Sequence, residues 1–449
     1  MKTPIVDFLK KYANSDISRF HMPGHKGNGL LGVETYDITE IPGADVLYGA
    51  EGIIKESEDN ASSLFGSGHT FYSTQGSTLA IFAMLMSVCA YSGDEKPLII
   101  AARNVHKAFI YAAAHVGFDV EWIYPKDFTH PCECKITAYD VKNAIENAQK
   151  KPSGIYVTSP DYLGNMLDIS EISEVCKEHD IPLLVDNAHG AYLAFTEKNL
   201  HPIVCGATLC CDSAHKTLAS LTGGAYLHVS KEADSFFADN MRTYLASFAS
   251  TSPSYLILGS LDACNKYISD NGDKFKECEK KVLKLREYIE KRGFELCGDE
   301  PFKITINAAK SGVTGVEFAE ILREKDVEAE FCDREYVVLM VSPENTDRDY
   351  LRIKDAVDSI DAAKVCVTEN FDAVKPKAVM SIKKALMSRY EKIKTADAVG
   401  RVCALPTVSC PPAVSIVVSG ERICKNTVEL LRHYGFEEII VVADGLEEI

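Results

Sequence analysis

The chain has 449 residues, 46% hydrophobic and 25% charged, which excludes the disordered and fibrous classes and provides for a large core shared by two or three lobes. Its formal net charge is -17 and no block of Lys or Arg interrupts the acidity, so nucleic acid is not expected as a partner. The 15 cysteines are scattered, with "CEC" at 132–134 and "CC" at 210–211 but no paired CxxC. No metal site is expected from that spacing, and the thiols read as reduced and mostly buried in a cytoplasmic protein.

In chain order, "MKTPIVDFLKKYANSD" carries charges where a signal peptide needs its apolar stretch, and its spacing predicts a short amphipathic helix. "HTFYS" reads as a strand, followed by the apolar run "LAIFAMLMSVCA" at 79–90. That run is too short to span a bilayer, so it predicts a buried helix and no membrane partner. "KPLII" (96–100), "DVEWIY" (119–124), "SGIYVTSP" (153–160), "IPLLVDNAHG" (181–190), "GATLCCDS" (206–213) and "GGAYLHVS" (223–230) read as strands, with helical segments such as "TAYDVKNAIENAQK" and "SEISEVCKEHD" between them. The alternation predicts an α/β fold with a mostly parallel sheet, helices on its faces, and ligands at the carboxyl ends of the strands. A long helix is expected around 272–293, then a smaller α+β domain and a third, C-terminal α+β unit. The expected division is an N-terminal arm 1–40, a large domain 41–270, a small domain 271–372 and a C-terminal domain 373–449.

Three features carry chemistry. In "STQGSTLAIFAML", Gly76, Ser77 and Thr78 open the apolar helix directly after a strand, and free amides at a helix start form an anion site, although Ser and Thr are also ordinary caps. Asp186 ends the apolar strand "IPLLVD", where a carboxylate needs a cationic or hydrogen-bonding partner. Lys216 follows the next strand-like run at its end, between His215 and Thr217, where an amine that loses its proton can attack a carbonyl. An anion anchor, a strand-end acid and a lysine in that order match the needs of pyridoxal phosphate.

"SAHKT" (213–217) resembles the S-x-H-K cofactor-lysine motif of the ornithine/lysine/arginine decarboxylase family, pyridoxal phosphate enzymes of the aspartate aminotransferase fold, type I. "FHMPGHKG" (20–27), "DITEIPGADVLYGAEGIIKESE" (37–58), "STQGSTLA" (73–80), "RNVHKA" (103–108), "DNAHGAYLAF" (186–195) and "STSPSYLILGSLD" (250–262) are similar to that family in the same order. The resemblance implies that Lys216 bonds covalently to the cofactor, that Asp186 pairs with the ring nitrogen, and that His106 and Ala188 cover the two ring faces. It implies a phosphate site of Ser77, Thr78, Ser213 and His215, with Gly76 allowing close approach, and a homodimer or higher homo-oligomer in which Thr251 and Ser252 reach the neighbouring subunit's site. His21 and His25 are four apart, but Pro23 and Gly24 forbid the helix that would align them as zinc ligands, and by resemblance this segment is an arm near the active site.

The implied reaction is decarboxylation of a basic amino acid, arginine ahead of lysine and ornithine, to a polyamine-type amine, with Lys216 or His215 returning the proton to Cα. The chain resembles the short, biosynthetic kind, without the extra N-terminal domain of the long members. It departs from the family within "GRVCALPTVSCPPAVSIVVSGERI" (400–423): Ser409 and Cys410 replace Pro-Tyr, Ala413 replaces Gly, Ser415 and Ser419 replace prolines, and Leu405 stands where some members have an acid. In "TSPDYLG", Asp161 replaces a usual Thr near the cofactor. Two alternatives stay open: an aminotransferase or lyase using the same lysine and aspartate, and a non-catalytic relative that binds the cofactor. His106 and the "HMPGHKG" arm favour the decarboxylase.

Overall fold

The structure is a computed structural model, and it describes residues 1–127, 130–363, 374–407 and 412–443; Ser409 and Cys410 lie outside the described residues. In chain order the first elements are α1 (Pro4–Ala13), α2 (Ile53–Phe65), β1 (His69–Ser73), α3 (Gly76–Ser92), β2 (Leu98–Ala102), α4 (Lys107–Val116), β3 (Asp119–Ile123) and α5 (Ala138–Asn147). There follow β4 (Gly154–Thr158), α6 (Ile169–Glu178), β5 (Leu183–Asp186), β6 (Leu209–Asp212), α7 (Ala214–Thr217), β7 (Ala225–Val229), α8 (Ser235–Phe248) and α9 (Tyr255–Lys291). The rest comprises β8 (Glu295–Cys297), β9 (Lys303–Asn307), α10 (Gly315–Glu324), β10 (Phe331–Cys332), β11 (Tyr336–Met340), α11 (Asp347–Asp358), β12 (Lys377–Ala378), α12 (Ile382–Leu386), β13 (Tyr390–Lys394), β14 (Glu421–Arg422), α13 (Lys425–His433) and β15 (Glu438–Val442).

Two compact units are present. The first, Met1–Ser92 with Cys176–Lys276, holds strands in the order β1-β7-β6-β5. β5 and β6 run parallel, whereas β7 is antiparallel to both β6 and β1. "LLVD" and "LCCD" are buried along their whole length, which is why they read as unbroken apolar runs rather than alternating ones. Packed against β6, β7 and α8 is α3, with buried Leu79, Ala80, Ile81, Ala83, Met84, Leu85 and Val88 on all sides. The predicted amphipathic helix is α1, and it buries Ile5, Leu9 and Tyr12 on one stripe. Its first amides, at Ile5 and Val6, each donate to Asp262 Oδ2 at 3.0 Å, so a carboxylate of α9 holds the positive end of the helix dipole.

The second unit is Gly93–Val175 with Glu277–Ile449. Its strands β4-β2-β3 are parallel, and β10-β11-β9-β8 form a separate antiparallel sheet. Two further pairs, β12 with β14 and β13 with β15, belong to the C-terminal region. The expected α/β fold with a mostly parallel large sheet is therefore present. The long helix is longer than its expected span: α9 starts at Tyr255, just after Pro253, and bends at Asn271, where φ is -128°. Among the described residues the cysteines are all free thiols and mostly buried.

Candidate active site

Gly76 begins α3 with φ +68°, and its amide donates to Gly223 O at 2.8 Å. That left-handed conformation favours glycine, and it turns the chain from β1 directly into the helix. Ser77 follows half-buried, and the Ser213 hydroxyl, arriving from the end of β6, donates to Ser77 Oγ at 2.8 Å. Two hydroxyls beside the start of a helix of 17 residues form an anion cradle. His215 closes one side: its Nδ1 lies 3.0 Å from Gly224 O, and a Cβ added at Gly76 would sit 3.8 Å from its Cε1. Thr78 is in the same turn on the exposed side.

Lys216 does not end the strand, as expected, but sits one helical turn later. β6 stops at Asp212, Ser213 turns the chain, and Lys216 N bonds to Ser213 O at 3.0 Å inside α7. The turn carries the amine toward the loop after β5, where Lys216 Nζ meets His189 Nε2 at 2.9 Å. Asp186 is the last residue of β5 and pairs in register with Cys211 of β6. Its Oδ1 accepts from the Ala188 amide at 3.1 Å and from the Cys211 thiol at 3.7 Å. Parallel pairing of β5 and β6 thus brings the turns that carry Asp186, Ala188, His189 and Lys216 to the same strand ends.

Beneath these turns lies a polar network that sequence reasoning missed. Asp212 is fully buried and accepts from Asn187 Nδ2 at 2.6 Å, while His201 Nε2 and His228 Nε2 approach its other oxygen at 2.9 and 3.1 Å. His228 Nδ1 continues to Thr70 Oγ1 at 2.9 Å, and Thr70 to Ser67 at 2.8 Å. Burial pushes the Asp212 carboxyl up, but the attraction and hydrogen bonds of His201 and His228 outweigh it and hold the group well below the usual carboxylate range. Burial also holds the His228 imidazole below its ordinary value, against the pull of Asp212. His189 was missed as well; its signal was "DNAHG", quoted for Asp186 and Ala188 but not for its histidine.

The remaining expected site residues lie elsewhere. His106 belongs to the second unit, where it caps α4, its Nδ1 accepting from the Ala108 amide at 3.1 Å. Thr251 and Ser252 are exposed in the loop before α9. In the arm, His21 Nε2 pairs with Tyr12 OH at 2.6 Å and His25 Nε2 with Asp37 at 3.2 Å. Asp161 closes its own turn, accepting from the amides of Leu163 and Asn165 and from Asn165 Nδ2, each at 2.9 Å. An aspartate accepts all three on two oxygens, whereas a threonine would offer one hydroxyl oxygen and a weaker turn.

The donor set in the first unit suits pyridoxal phosphate: hydroxyls at a helix start for a phosphate, a buried strand-end carboxylate for a ring N–H, and a lysine amine beside an imidazole for an aldehyde. Asn187 Oδ1, buried without a hydrogen-bond partner among the described residues, adds an acceptor beside them. A family model described as "Orn/Lys/Arg decarboxylase, major domain" matches residues 3–308. An arginine decarboxylase of Bacillus subtilis (strain 168) is 30% identical to the chain, covering 96% of it and 93% of the relative. A relative from the same organism called "Uncharacterized protein YaaO" is 29% identical, covering 96% of this chain and 94% of its own length. The crystal structure of a lysine decarboxylase from Francisella novicida has the same fold, with a TM-score of 0.81 at 17% identity, over 98% of this chain and 81% of that one. The motifs, the fold and the family match agree, and the chain belongs to the Orn/Lys/Arg decarboxylase family of pyridoxal phosphate-dependent amino-acid decarboxylases.

Proposed function

We propose that the protein decarboxylates a basic amino acid, arginine ahead of lysine and ornithine, with pyridoxal phosphate as cofactor and Lys216 as its covalent anchor. The observation that carries this reading is the 2.9 Å contact between Lys216 Nζ and His189 Nε2. An imidazole at that distance can take the lysine proton and leave a nucleophilic amine. Bound pyridoxal phosphate supplies an electrophilic aldehyde and a ring that withdraws electrons from the substrate Cα.

The protein's groups do the rest. Ser77, Thr78, Ser213 and the first amides of α3 bind the phosphate, with His215 beside them and Gly76 leaving room. Asp186 would accept the ring N–H and keep that nitrogen protonated, and the family resemblance assigns Ala188 and His106 to the ring faces. After CO2 leaves, the Lys216 ammonium, or His215, returns a proton to Cα, and the product is a polyamine-type amine. The domain division at residues 40, 270 and 372 accompanies this reading.

Relatives named arginine decarboxylase support arginine as the first substrate. We read the protein as a cytoplasmic homodimer or higher homo-oligomer, with Thr251 and Ser252 reaching the neighbouring subunit's site. The exposure of both residues supports this, as does the almost complete exposure of Phe20, Leu30 and Leu31 in the arm. Among the described residues no helix is long and apolar enough to cross a membrane. The test is CO2 release from arginine, lysine and ornithine with pyridoxal phosphate, alongside a keto-acid acceptor assay. CO2 from arginine fastest, with no amino transfer, is expected. No CO2 from any of the three, with cofactor bound, rejects the reading.

A further inference from the structure

The stretch in which this chain departs from its family is built against the loop that carries His106. Lys107 N donates to Ala413 O at 2.9 Å, and His106 forms an antiparallel bridge with Val414. Three residues earlier in that loop, Arg103 spreads its guanidinium over the same stretch. Its Nη1 donates to Ser415 O at 3.3 Å, and its Nη2 to Ile416 O at 3.2 Å and Glu421 Oε2 at 3.0 Å. The same Glu421 oxygen accepts the Val418 amide at 2.7 Å, so Glu421 closes its own turn and clamps Arg103 at once.

This pair is buried, with side-chain exposures of 11% for Arg103 and 3% for Glu421, and the guanidinium lies over Trp122, 5.1 Å from the ring centroid. A planar fork held by two carbonyls and a carboxylate fixes position as well as charge, which a flexible surface pair does not. The His106 loop is thereby held from both sides. Asn104 Nδ2 bonds to Cys132 O at 3.1 Å, Arg103 N to Ile123 O at 3.0 Å, and the 413–421 stretch supplies the other wall. The ring of His106 is oriented by its own helix through the Ala108 amide, but where its backbone sits is set by residues about 310 positions away. Ser415 and Ser419 stand where the family carries prolines, and the acid that clamps the stretch is still present at Glu421.

We propose that Glu421, acting through Arg103, is a positioning residue for His106, so that the C-terminal stretch sets the residue that stacks on the cofactor. The inference rests on the reading of His106 as that stacking residue. A group that holds a binding residue in place typically changes affinity by about tenfold when removed, without touching the ligand.

The test is a double-mutant cycle on pyridoxal phosphate affinity, measured by absorbance and by the circular dichroism of the bound cofactor rather than by turnover. Glu421→Gln is expected to weaken cofactor binding about tenfold and to reduce the dichroic band, and to add little once His106 is already Ala. Glu421→Asp should recover part of the affinity. If Glu421→Gln binds the cofactor as the parent does, or if its effect is undiminished in the His106→Ala background, the positioning role is wrong. If His106→Ala alone leaves affinity and dichroism unchanged, the stacking reading fails instead, and the positioning role fails with it. Should Glu421→Gln not fold, Arg103→Lys, which keeps the charge and loses the fork, makes the same comparison with the same outcomes.

Discussion

Lys216 Nζ lies 2.9 Å from His189 Nε2, although the two residues are carried by different turns, one after β5 and one after β6. The contact sets the amine proposed to anchor the cofactor against an imidazole nitrogen, a group able to accept or donate a proton. Replacing His189 by Gln keeps an acceptor near the lysine but removes the imidazole nitrogen that could carry a proton. The variant is expected to retain the visible cofactor band and to lose about a hundredfold in kcat for CO2 release, the lower range for a proton-transfer group. Unchanged kcat would show that His189 takes no part in moving the lysine proton.

Asp212 should be a main support of these turns. Its carboxylate is fully buried and takes hydrogen bonds from Asn187 and two imidazoles. Asp212→Asn is expected to destabilise the fold by about 3 kcal/mol or more, because the histidines lose the charge they face. The pH dependence follows from the lowered pKa. A carboxyl held below its unfolded value, about 3.9, contributes stability that is present above that pH and is lost as pH falls through the folded value. The gap between parent and variant in thermal midpoint should therefore be full at pH 6 and shrink on acidification below pH 4.

The backbone of the altered stretch makes a pair of opposite predictions. Ala413 sits at φ +59°, where a side chain is strained and where the family carries glycine. Ala413→Gly should stabilise the protein by about 1 kcal/mol. Gly420 has φ +89°, and a Cβ there would lie 2.2 Å from Met380 O. Gly420→Ala should cost about 2 kcal/mol or more. Thermal unfolding of both variants beside the parent checks the signs.

Asp161 gives a second pH signature. Burial pushes its carboxyl up to about 7, against hydrogen bonds from Asn165. A folded value above the unfolded one means that the charged form penalises the fold increasingly as pH rises from about 4 to 7. Asp161→Thr removes the charge and the turn contacts together, so its stability relative to the parent should rise between pH 4 and pH 7. A parallel pair of stability curves would contradict this account of the site.

Much of the site was legible in the sequence because it follows local rules. Gly76 to Thr78 open a helix after a strand, and Asp186 ends a strand whose apolar run is continuous. Lys216 was singled out as a strand-end lysine and so placed one turn early, since a short helical turn such as Ala214–Thr217 has too few residues to show a period. Asp212 read as one more strand residue, because His201 and His228 reach it from separate elements and no spacing announces the meeting. Arg103 and Glu421 are 318 residues apart, so "RNVHKA" made His106 a candidate while the Arg103–Glu421 contact stayed hidden. Asp161 was noticed as a departure, but its use in closing a turn needed the backbone.

The central claim is that Lys216 holds pyridoxal phosphate covalently. Reduction of the cofactor-loaded protein with borohydride, followed by peptide mapping, reads this directly. The account predicts a single pyridoxyl group on Lys216, within "CDSAHKTLAS", and no reducible visible band in Lys216→Ala. Label on another lysine, or an unchanged band in the variant, would contradict it.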